Sequence, residues 1–408
     1  MALNHIMKEI KNLRSPLYRN SIYISLASLT TAIAGFLFWA IAARLYPAGD
    51  VGVASAIVSA INLTFQLSML GMNFAVIRFY PEYGERVMGS AVVITSLAGL
   101  VFSTTYGFLM MRSGSFQGVF TPLFLATFIL FSVIGTLYNL FSTYAIARRK
   151  AEHSFIQSIL FSSRFLFLLI LIPLGSLGIV SAFGAGLALG LVYALLVIGT
   201  TFPRIDREFI GDAVKFSLGN YIANIANIAP NYLMPTLVLS MLGKEDAAYF
   251  YMAFAIGNLV LFVPNAINTS FFVEGSHGLK DMKKTLKKAI IFSYVYLAVV
   301  TLFVWFFGGF VLRFFGEGYV NGLPLLRLMV IGGFFVVVVN FSITILNIQK
   351  RVKEIVMINT LKTTTLLSLS YFLISRRGII GIGISWVVSL IILSLALVTI
   401  LSRHRLNK

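Results

Sequence analysis

The stretch NSIYISLASLTTAIAGFLFWAIAARL (20–45) decides the fold, because residues 20–43 of it are uncharged and mostly apolar. A helix of about 20 such residues crosses the hydrocarbon core of a bilayer, which is roughly 30 Å thick. The apolar part of a cleaved signal peptide is shorter, about 7–15 residues, although Ala40-Ile41-Ala42 imitates a cleavage site. We therefore interpret this stretch as a membrane-spanning helix that stays in the protein.

Similar apolar runs recur along the whole chain. Of its 408 residues 58% are hydrophobic and only 11% are charged, whereas soluble domains contain about 25% charged residues. The strands of a membrane barrel would be about 10 residues long and would alternate in polarity, and these runs do neither. We therefore predict an all-α membrane protein with twelve transmembrane helices in two pseudo-symmetric six-helix bundles. The predicted spans lie near 20–43, 51–73, 87–110, 119–143, 154–173, 178–201, 214–241, 247–271, 286–312, 323–347, 355–374 and 379–401.

The cations indicate how the spans are oriented. The chain carries 32 Lys and Arg and a net charge of +18, which in a soluble protein would suggest a nucleic-acid partner. Here 23 of the 32 lie on one side of the predicted spans, 7 lie on the other side, and 2 lie within spans. The positive-inside rule then predicts a multi-pass protein of the cytoplasmic membrane with both termini in the cytoplasm and no nucleic-acid partner.

Some kinds of chemistry are excluded by what the sequence lacks. The chain has no cysteine, which excludes disulfides, thiolate metal sites and a thiol nucleophile. It also has no GxxxxGK[ST] motif for nucleotide phosphates. We predict no cofactor, no bound metal and no catalytic residue.

A weak internal repeat suggests two related halves. Ala54–Ile57 (ASAI) matches Ala253–Ile256 (AFAI), and Gly175–Ile179 (GSLGI) matches Gly378–Ile382 (GIIGI), at offsets of 199 and 203. Secondary transporters are often built from such halves, so we predict an N-terminal bundle over 1–202 and a C-terminal bundle over 203–408. Chance similarity between apolar segments is the alternative.

Polar residues form stripes along two predicted spans. Span seven has Asn220, Asn224, Asn227 and Asn231 at spacings of 4, 3 and 4, which is one helical face. Span two has Asn62 and Gln66 one turn apart. Amides are costly in lipid, so these stripes predict a hydrated cavity. The alternative is hydrogen bonding between packed helices.

Prolines occur inside two of the predicted spans. Pro230 and Pro235 lie in span seven and Pro264 lies in span eight. Because proline removes a backbone hydrogen bond and bends a helix, we expect span seven to be broken near the middle of the membrane, and we interpret these prolines as hinges.

The charges predicted inside the membrane are positive. Arg164 lies about 15 Å into span five and Lys362 about 10 Å into span eleven, at 1.5 Å per residue, and no Asp or Glu lies near the centre of a span. Cations without a neutralising carboxylate are typical of a phosphate or diphosphate site. For Lys362, the alternative is that its side chain reaches back to the membrane surface.

Three stretches carry a resemblance to a known family. They are NSIYISLASLTTAIAGFLFWAIAARLYPAGDVGVASAIVS (Asn20–Ser59), LGMNFAVIRFYPE (Leu70–Glu82) and FVPNAINTSFFVEGS (Phe262–Ser276). The sequence resembles the polysaccharide flippases, the Wzx-like branch of the multidrug/oligosaccharidyl-lipid/polysaccharide exporter superfamily, which is related to the MATE transporters and the lipid II flippases. The resemblance implies two six-helix bundles, alternating access, and transfer of a polyprenyl-diphosphate-linked oligosaccharide from the cytoplasmic to the outer leaflet for cell-surface polysaccharide synthesis.

The chain departs from two branches of that superfamily. The lipid II flippases have arginines early in the first helix, where this sequence offers only Arg19. Drug exporters commonly have an acidic residue in the first helix, and residues 20–43 contain none. Both departures favour the polysaccharide branch.

These observations combine into one hypothesis, a lipid-linked oligosaccharide flippase that is not an enzyme. Its expected partners are the lipid-linked substrate, membrane lipids and polysaccharide-assembly enzymes, and we expect a monomer. The alternatives are a cation-coupled multidrug exporter of the same superfamily, a membrane glycosyltransferase or polymerase that uses a lipid-linked donor, and a lipid scramblase. In the hypothesis Arg164 and Lys362 hold the diphosphate, and the sugars meet the amides of Asn62, Gln66, Asn224, Asn227 and Asn231.

Overall fold

The computed structural model describes residues 16–112, 121–199, 205–276, 281–349 and 351–406, and the regular structure in these ranges is helical. Short 3-10 turns, Ile172–Leu174 and Glu317–Gly322, precede two of the helices. The α-helices are α1 (Pro16–Leu45), α2 (Ala48–Ser68), α3 (Met72–Tyr83), α4 (Arg86–Arg112), α5 (Pro122–Ala147), α6 (Ala151–Ser162), α7 (Phe165–Ile170), α8 (Gly175–Val197), α9 (Arg207–Leu242), α10 (Lys244–Ser276), α11 (Met282–Arg313), α12 (Leu323–Ile348), α13 (Val352–Arg377) and α14 (Ile379–Leu406).

The predicted spans overlap helices of the structure, but α3 lies almost wholly outside them and span 154–173 is interrupted between α6 and α7. Eleven helical stretches in the described ranges are long and apolar enough to cross a membrane. The predicted span that is not among them, span eleven (355–374), lies within α13, which has 26 residues but also contains Lys353, Glu354 and Lys362. The predicted fold class, an all-α multi-pass membrane protein, is confirmed. The N-terminal cations that contribute to the predicted orientation, such as Lys8 and Lys11, lie outside the described residues.

Packing divides the chain into two compact units. The first unit comprises Met1–Tyr46 and Ile57–Tyr221, and the second comprises Pro47–Ala56 and Ile222–Lys408. One boundary therefore falls between α1 and α2, and the other two fall inside α2 and α9. The predicted division after residue 202 remains a prediction.

The beginning of α9 is fastened within the first unit by hydrogen bonds to the helices before it. The Tyr83 hydroxyl donates to Oδ2 of Asp212 at 2.8 Å, and the Tyr221 hydroxyl donates to the Leu67 carbonyl at 2.8 Å. A phenol in an apolar setting needs such an acceptor, so these bonds fix the first four turns of α9.

The repeated glycine pairs have the same geometry in both units. Gly175 has φ of 56° and Gly378 has φ of 58°, a left-handed conformation that a residue with a Cβ adopts only with strain. A Cβ on Gly178 would lie 2.1 Å from the Leu171 carbonyl oxygen, and one on Gly381 would lie 2.4 Å from that of Leu373. Each pair therefore allows a sharp turn followed by a helix packed directly on the preceding backbone.

Candidate functional site

The first unit contains a polar cavity of about 490 Å³ between α1, α2, α5, α6 and α8. Both residues predicted for this region, Asn62 and Gln66, line it. It also contains polar groups that the predicted site did not include, which are Ser28, Thr31, Tyr138, Asn139, Ser142, Ser154 and Ser158.

Two of the cavity's amides are oriented by their own helices. Asn62 Nδ2 donates to the Val58 carbonyl at 2.8 Å, and Asn139 Nδ2 donates to the Gly135 carbonyl at 2.9 Å. Each bond uses one of the two amide hydrogens. The second hydrogen and the oxygen remain to serve a hydroxyl-bearing ligand.

Arg164 lies behind the wall of this cavity. It occupies the break between α6 and α7, and only 3% of its surface is exposed. Its guanidinium carbon is 3.8 Å from the ring centre of Phe161, 5.2 Å from that of Phe38 and 5.5 Å from that of Phe183. Phe161 and Phe183 also line the cavity, whereas Arg164 itself is not among its lining residues.

The packing around Arg164 is tight, most of all at Gly186. Nη1 donates to the Phe161 carbonyl at 3.3 Å. A Cβ on Gly35 would lie 3.4 Å from Nη2, and one on Gly186 would lie 2.8 Å from the Arg164 Cβ. A cation–ring contact is worth about 2 kcal/mol when it is removed from water. The rings of Phe38, Phe161 and Phe183, which form an aromatic cage, therefore stabilise the buried guanidinium.

The second unit contains its own polar cavity, of about 330 Å³, between α9, α10, α12 and α13. Six of its ten lining residues are asparagines. Two of them, Asn224 and Asn227, are predicted site residues. The remaining asparagines, absent from the predicted site, are Asn268, Asn340, Asn347 and Asn359.

Hydrogen bonds orient several of these amides. Lys362 Nζ donates to Oδ1 of Asn227 at 3.0 Å, and the Thr344 hydroxyl donates to Oδ1 of Asn268 at 3.0 Å. Asn340 Nδ2 donates to Oδ1 of Asn265 at 2.8 Å. Lys362 is thus linked to the cavity by its hydrogen bond to Asn227, which lines it.

Asn359 differs from its neighbours in the cavity. It is 7% exposed, and its enclosed Oδ1 accepts no hydrogen bond from the residues that the structure describes. Leaving a buried acceptor unsatisfied costs about 1–3 kcal/mol. With almost no accessible surface, this oxygen does not face the open part of the cavity.

Asn231 lies apart from the other predicted amides. Together with Pro230 it lines a separate apolar cavity of about 20 Å³, against Phe250 and Trp386. The structure therefore does not bring Asn231 together with Asn224 and Asn227.

The expectation that span seven is broken is wrong. Helix α9 is continuous over its 36 residues with Pro230 and Pro235 inside it, and α10 likewise continues through Pro264. Pro230 has no N–H for the Ala226 carbonyl four residues earlier, but the Thr363 hydroxyl of α13 donates to that carbonyl instead. A neighbouring hydroxyl therefore satisfies the carbonyl released by Pro230, and the role of the three prolines as hinges remains a prediction.

A signal for the missed asparagines is present in the sequence. Asn340, Thr344 and Asn347 follow one another at spacings of 4 and 3 on α12, which is one helical face. Asn268 lies three residues after Asn265, and Asn359 three residues before Lys362, so each also shares a helical face with another polar residue. Only the packing of α9, α10, α12 and α13 brings the asparagines together.

Comparison with known proteins agrees with this architecture. No family model matches the chain. A protein of Shigella flexneri, whose name describes it as an O-antigen transporter, is 23% identical over 180 residues, and the match spans 43% of each chain, less than half the length of that relative.

The similarity to solved structures covers almost the whole chain. The lipid II flippase MurJ in an inward closed conformation matches with a TM-score of 0.76 at 14% identity, over 93% of this chain and 87% of that one. An inward-facing multidrug resistance MATE family transporter of the MOP superfamily matches with a TM-score of 0.69 at 14% identity, over 94% and 98%. The predicted resemblance is confirmed, because this chain has the fold of the MOP superfamily transporters.

Proposed function

We propose that the chain is a flippase that moves a polyprenyl-diphosphate-linked oligosaccharide from the cytoplasmic to the outer leaflet by alternating access. In this proposal it is a transporter and not an enzyme. Sequence similarity to a relative named as an O-antigen transporter and the fold shared with a lipid II flippase both support a lipid-linked saccharide substrate.

One observation carries the proposal. Among the described residues that line the two polar cavities, none is Asp or Glu, and amides and hydroxyls supply the polar groups. An organic cation would require a carboxylate in such a low-dielectric setting. Amides and hydroxyls suit a sugar, whose hydroxyl groups both donate and accept hydrogen bonds.

The predicted residues receive distinct roles. Arg164 and Lys362 attract the diphosphate. Arg164 acts through its positive potential, because it does not line the cavity itself, while its neighbours Phe161 and Phe183 do. The electrostatic attraction between a cation and a diphosphate that do not touch is strongest where water is excluded. Of the predicted amides, those of Asn62 and Gln66 on α2 and of Asn224 and Asn227 on α9 would meet the sugars, whereas Asn231 lies apart from them.

The setting of the proposed flippase is the cytoplasmic membrane. With both termini in the cytoplasm, an inside-negative potential favours outward movement of an anionic headgroup by about 2.3 kcal/mol per charge per 100 mV. The protein would act as a monomer beside polysaccharide-assembly enzymes, and bending at Pro230, Pro235 and Pro264 would accompany each transfer.

A reconstitution assay tests this function. Vesicles containing the purified chain and a polyprenyl-diphosphate oligosaccharide with a fluorescent label on its sugar are treated with dithionite, which bleaches only the outer leaflet. We expect protein-dependent bleaching of the inner-leaflet lipid, whereas vesicles without protein should keep about half of the fluorescence. If both preparations bleach alike, the chain does not flip this lipid.

The multidrug exporter is the alternative function within the same fold, which the MATE family structure represents. It predicts efflux of an organic cation such as ethidium driven by a sodium or proton gradient. We expect no gradient-dependent efflux from the same vesicles, and robust efflux would replace the flippase proposal.

A further inference from the structure

The turn between α5 and α6 carries two exposed cations, Arg149 and Lys150. Neither forms an ion pair within the part of the chain that the structure describes. The preceding Arg148 is held by the protein, because its Nη1 donates to the Ile198 carbonyl at 3.1 Å and its Nη2 lies 3.9 Å from Oε1 of Glu85. Arg149 and Lys150 are therefore the cations of this turn that remain for a ligand.

The acidic residue closest to the turn in sequence, Glu152, does not neutralise these cations. Its Oε1 lies 3.5 Å from Nη2 of Arg19, on α1. The turn between α12 and α13 differs, since Arg351 there donates to Oε1 of Glu354 through Nε at 2.9 Å and through Nη2 at 2.8 Å. The charge of Arg351 is thus compensated by the first turn of α13, whereas the α5–α6 turn keeps two cations without a paired carboxylate.

The backbone of Arg149 is in a left-handed conformation, with φ of 58°. Of the residues that the structure describes, only Leu70 is a second non-glycine residue with a positive φ. The turn is closed by two hydrogen bonds of 2.9 Å, from the Arg149 N–H to the Ile146 carbonyl and from the Lys150 N–H to the Ala145 carbonyl. Glycine or asparagine fits such a position at the end of a helix with less strain, so an arginine there points to a role for its charge.

This turn lies at one end of the polar cavity of the first unit. Ile146 in the last turn of α5 and Ser154 in the first turn of α6 both line that cavity. Phe161, two helical turns after Ser154, lines it further along α6, and Lys150 precedes Ser154 by one turn. The cavity therefore extends along α6 from the cations of the turn toward Arg164, which is about 20 Å from Lys150 at 1.5 Å per residue.

The chemistry of the turn selects the class of ligand. A diphosphate carries several negative charges and only accepts hydrogen bonds, so it needs cations with free N–H groups. Arg149 can bind it through two N–H groups at once, and Lys150 adds a compact charge beside them. The phosphate diester of an ordinary phospholipid carries a single charge, so two adjacent cations favour the diphosphate.

We propose that Arg149 and Lys150 form an anion-binding site for the diphosphate of a lipid-linked saccharide, at the entrance to the cavity of the first unit. In the predicted orientation this site lies on the cytoplasmic side, where it holds the headgroup before the potential of Arg164 draws it inward. The inference rests on the proposed flippase function and deepens it, because it separates capture of the diphosphate from its passage. It also assigns a role to two cations outside the predicted site.

The test measures transfer of the labelled diphosphate lipid at increasing mole fractions in phosphatidylcholine vesicles. The double variant Arg149→Gln/Lys150→Gln removes both charges and keeps polar side chains. We expect it to raise the half-saturating mole fraction about fivefold, equivalent to about 1 kcal/mol. The maximal rate should stay within a factor of about two, because a site that only captures the headgroup contributes binding and not passage.

The matched control is Arg207→Gln/Lys215→Gln, which removes an exposed arginine and an exposed lysine near the beginning of α9. Neither residue lines the cavity, so the half-saturating fraction and the maximal rate should keep their wild-type values. An equal rise in the control would mean that net charge and not the turn governs capture, which would overturn the inference. A lower maximal rate at an unchanged half-saturating fraction in the double variant of the turn would overturn it as well.

The variant Arg149→Gly separates the charge from folding. Glycine adopts a positive φ without strain, so this variant should melt at or above the wild-type temperature. Its half-saturating mole fraction should nevertheless rise about twofold, equivalent to about 0.4 kcal/mol. An unchanged half-saturating fraction would show that the arginine does not bind the headgroup, and the same variant replaces the double variant if that one does not fold.

Vesicles that contain phosphatidylglycerol distinguish the substrate from other membrane phosphates. If the turn prefers the diphosphate, the difference between the wild-type chain and the double variant should persist in them. If phosphatidylglycerol abolishes that difference, the turn binds any anionic headgroup and the inference fails. Equal half-saturating fractions for the wild-type chain and the double variant in every vesicle would also overturn the inference and leave the flippase intact, whereas a wild-type chain that transfers no lipid would overturn the proposed function itself.

Discussion

The two cations predicted inside the membrane, Arg164 and Lys362, are held in different ways. Arg164 lies at a break between α6 and α7 with three aromatic rings around its guanidinium. Lys362 lies on the uninterrupted α13 and donates to an amide oxygen at 3.0 Å.

The difference follows from the chemistry of the two side chains. A guanidinium is planar, delocalised and weakly hydrated, so ring faces can replace part of its water. An ammonium is compact and strongly hydrated, so it needs an oxygen acceptor when it leaves water. Each environment therefore suits the type of cation that it surrounds.

The largest effect should come from the caged cation. We expect Arg164→Ala to reduce the flipping rate about 100-fold, equivalent to about 2.7 kcal/mol, because the positive charge behind the cavity wall is lost. Arg164→Lys should recover less than a tenth of the rate, since an ammonium cannot spread across three rings. The rates are measured by dithionite bleaching in vesicles.

The control for this change is Arg78→Ala. Arg78 is exposed and pairs with Glu82 at 3.2 Å, so its loss should have little effect on transport. Wild-type flipping in Arg164→Ala, in a chain that is folded and inserted, would refute the assigned role.

A single methyl group added beside the aromatic cage should lower the stability of the protein. A Cβ on Gly186 would lie 2.7 Å from the Phe161 carbonyl oxygen and 2.8 Å from the Arg164 Cβ, so Gly186→Ala should lower the free energy of unfolding by about 2 kcal/mol. Thermal unfolding in detergent measures the change. Gly219→Ala, where a Cβ would meet nothing within 4 Å, should be neutral or slightly stabilising. Equal melting temperatures for the two variants would mean that the residues around Arg164 accommodate the added methyl group without loss of stability.

Removing the second cation should have a smaller effect. We expect Lys362→Met to slow flipping about tenfold, equivalent to about 1.4 kcal/mol, because Asn227 loses its donor and the site loses one charge. Lys362→Arg should retain most of the rate, since a guanidinium can also donate to Oδ1 of Asn227. The control is Lys353→Met, an exposed lysine on the same helix, and similar rates in both methionine variants would argue against a role for Lys362.

The smallest effect concerns the proline in α9. Thr363→Val removes the hydroxyl that donates to the Ala226 carbonyl and should lower the free energy of unfolding by about 1 kcal/mol. Thr365→Val is matched, because the Thr365 hydroxyl is exposed and bonds only within its own helix, to the Leu361 carbonyl. If the two variants unfold at the same temperature, the hydroxyl of Thr363 does not support the proline-containing turn.

The sequence was informative where a physical signal repeats along one helix. Apolar runs predicted the helices, and the spacing of Asn224 and Asn227 predicted a polar face that does line a cavity. Asn359 carried a weaker signal, because the other asparagines of its cavity come from three other helices. The aromatic cage of Arg164 was invisible, since phenylalanines in an apolar span resemble residues that face lipid.

The prolines illustrate a different reason why local rules fail. Pro230 does remove a hydrogen bond within α9, as the sequence predicts, but the helix continues because a side chain from α13 replaces the missing donor. Local chemistry identified the unsatisfied carbonyl, whereas only tertiary packing could supply its partner.

The glycine turns before α8 and α14 have a practical consequence for reporters of movement. An inserted tag or a cysteine for dye attachment at Gly175 or Gly378 would force a side chain into a left-handed backbone, directly beside the close helix contacts at Gly178 and Gly381. Gly84, between α3 and α4, also has a positive φ, but a Cβ there would meet nothing within 4 Å. A fluorophore at Gly84 would therefore disturb neighbouring helices far less than one at either turn.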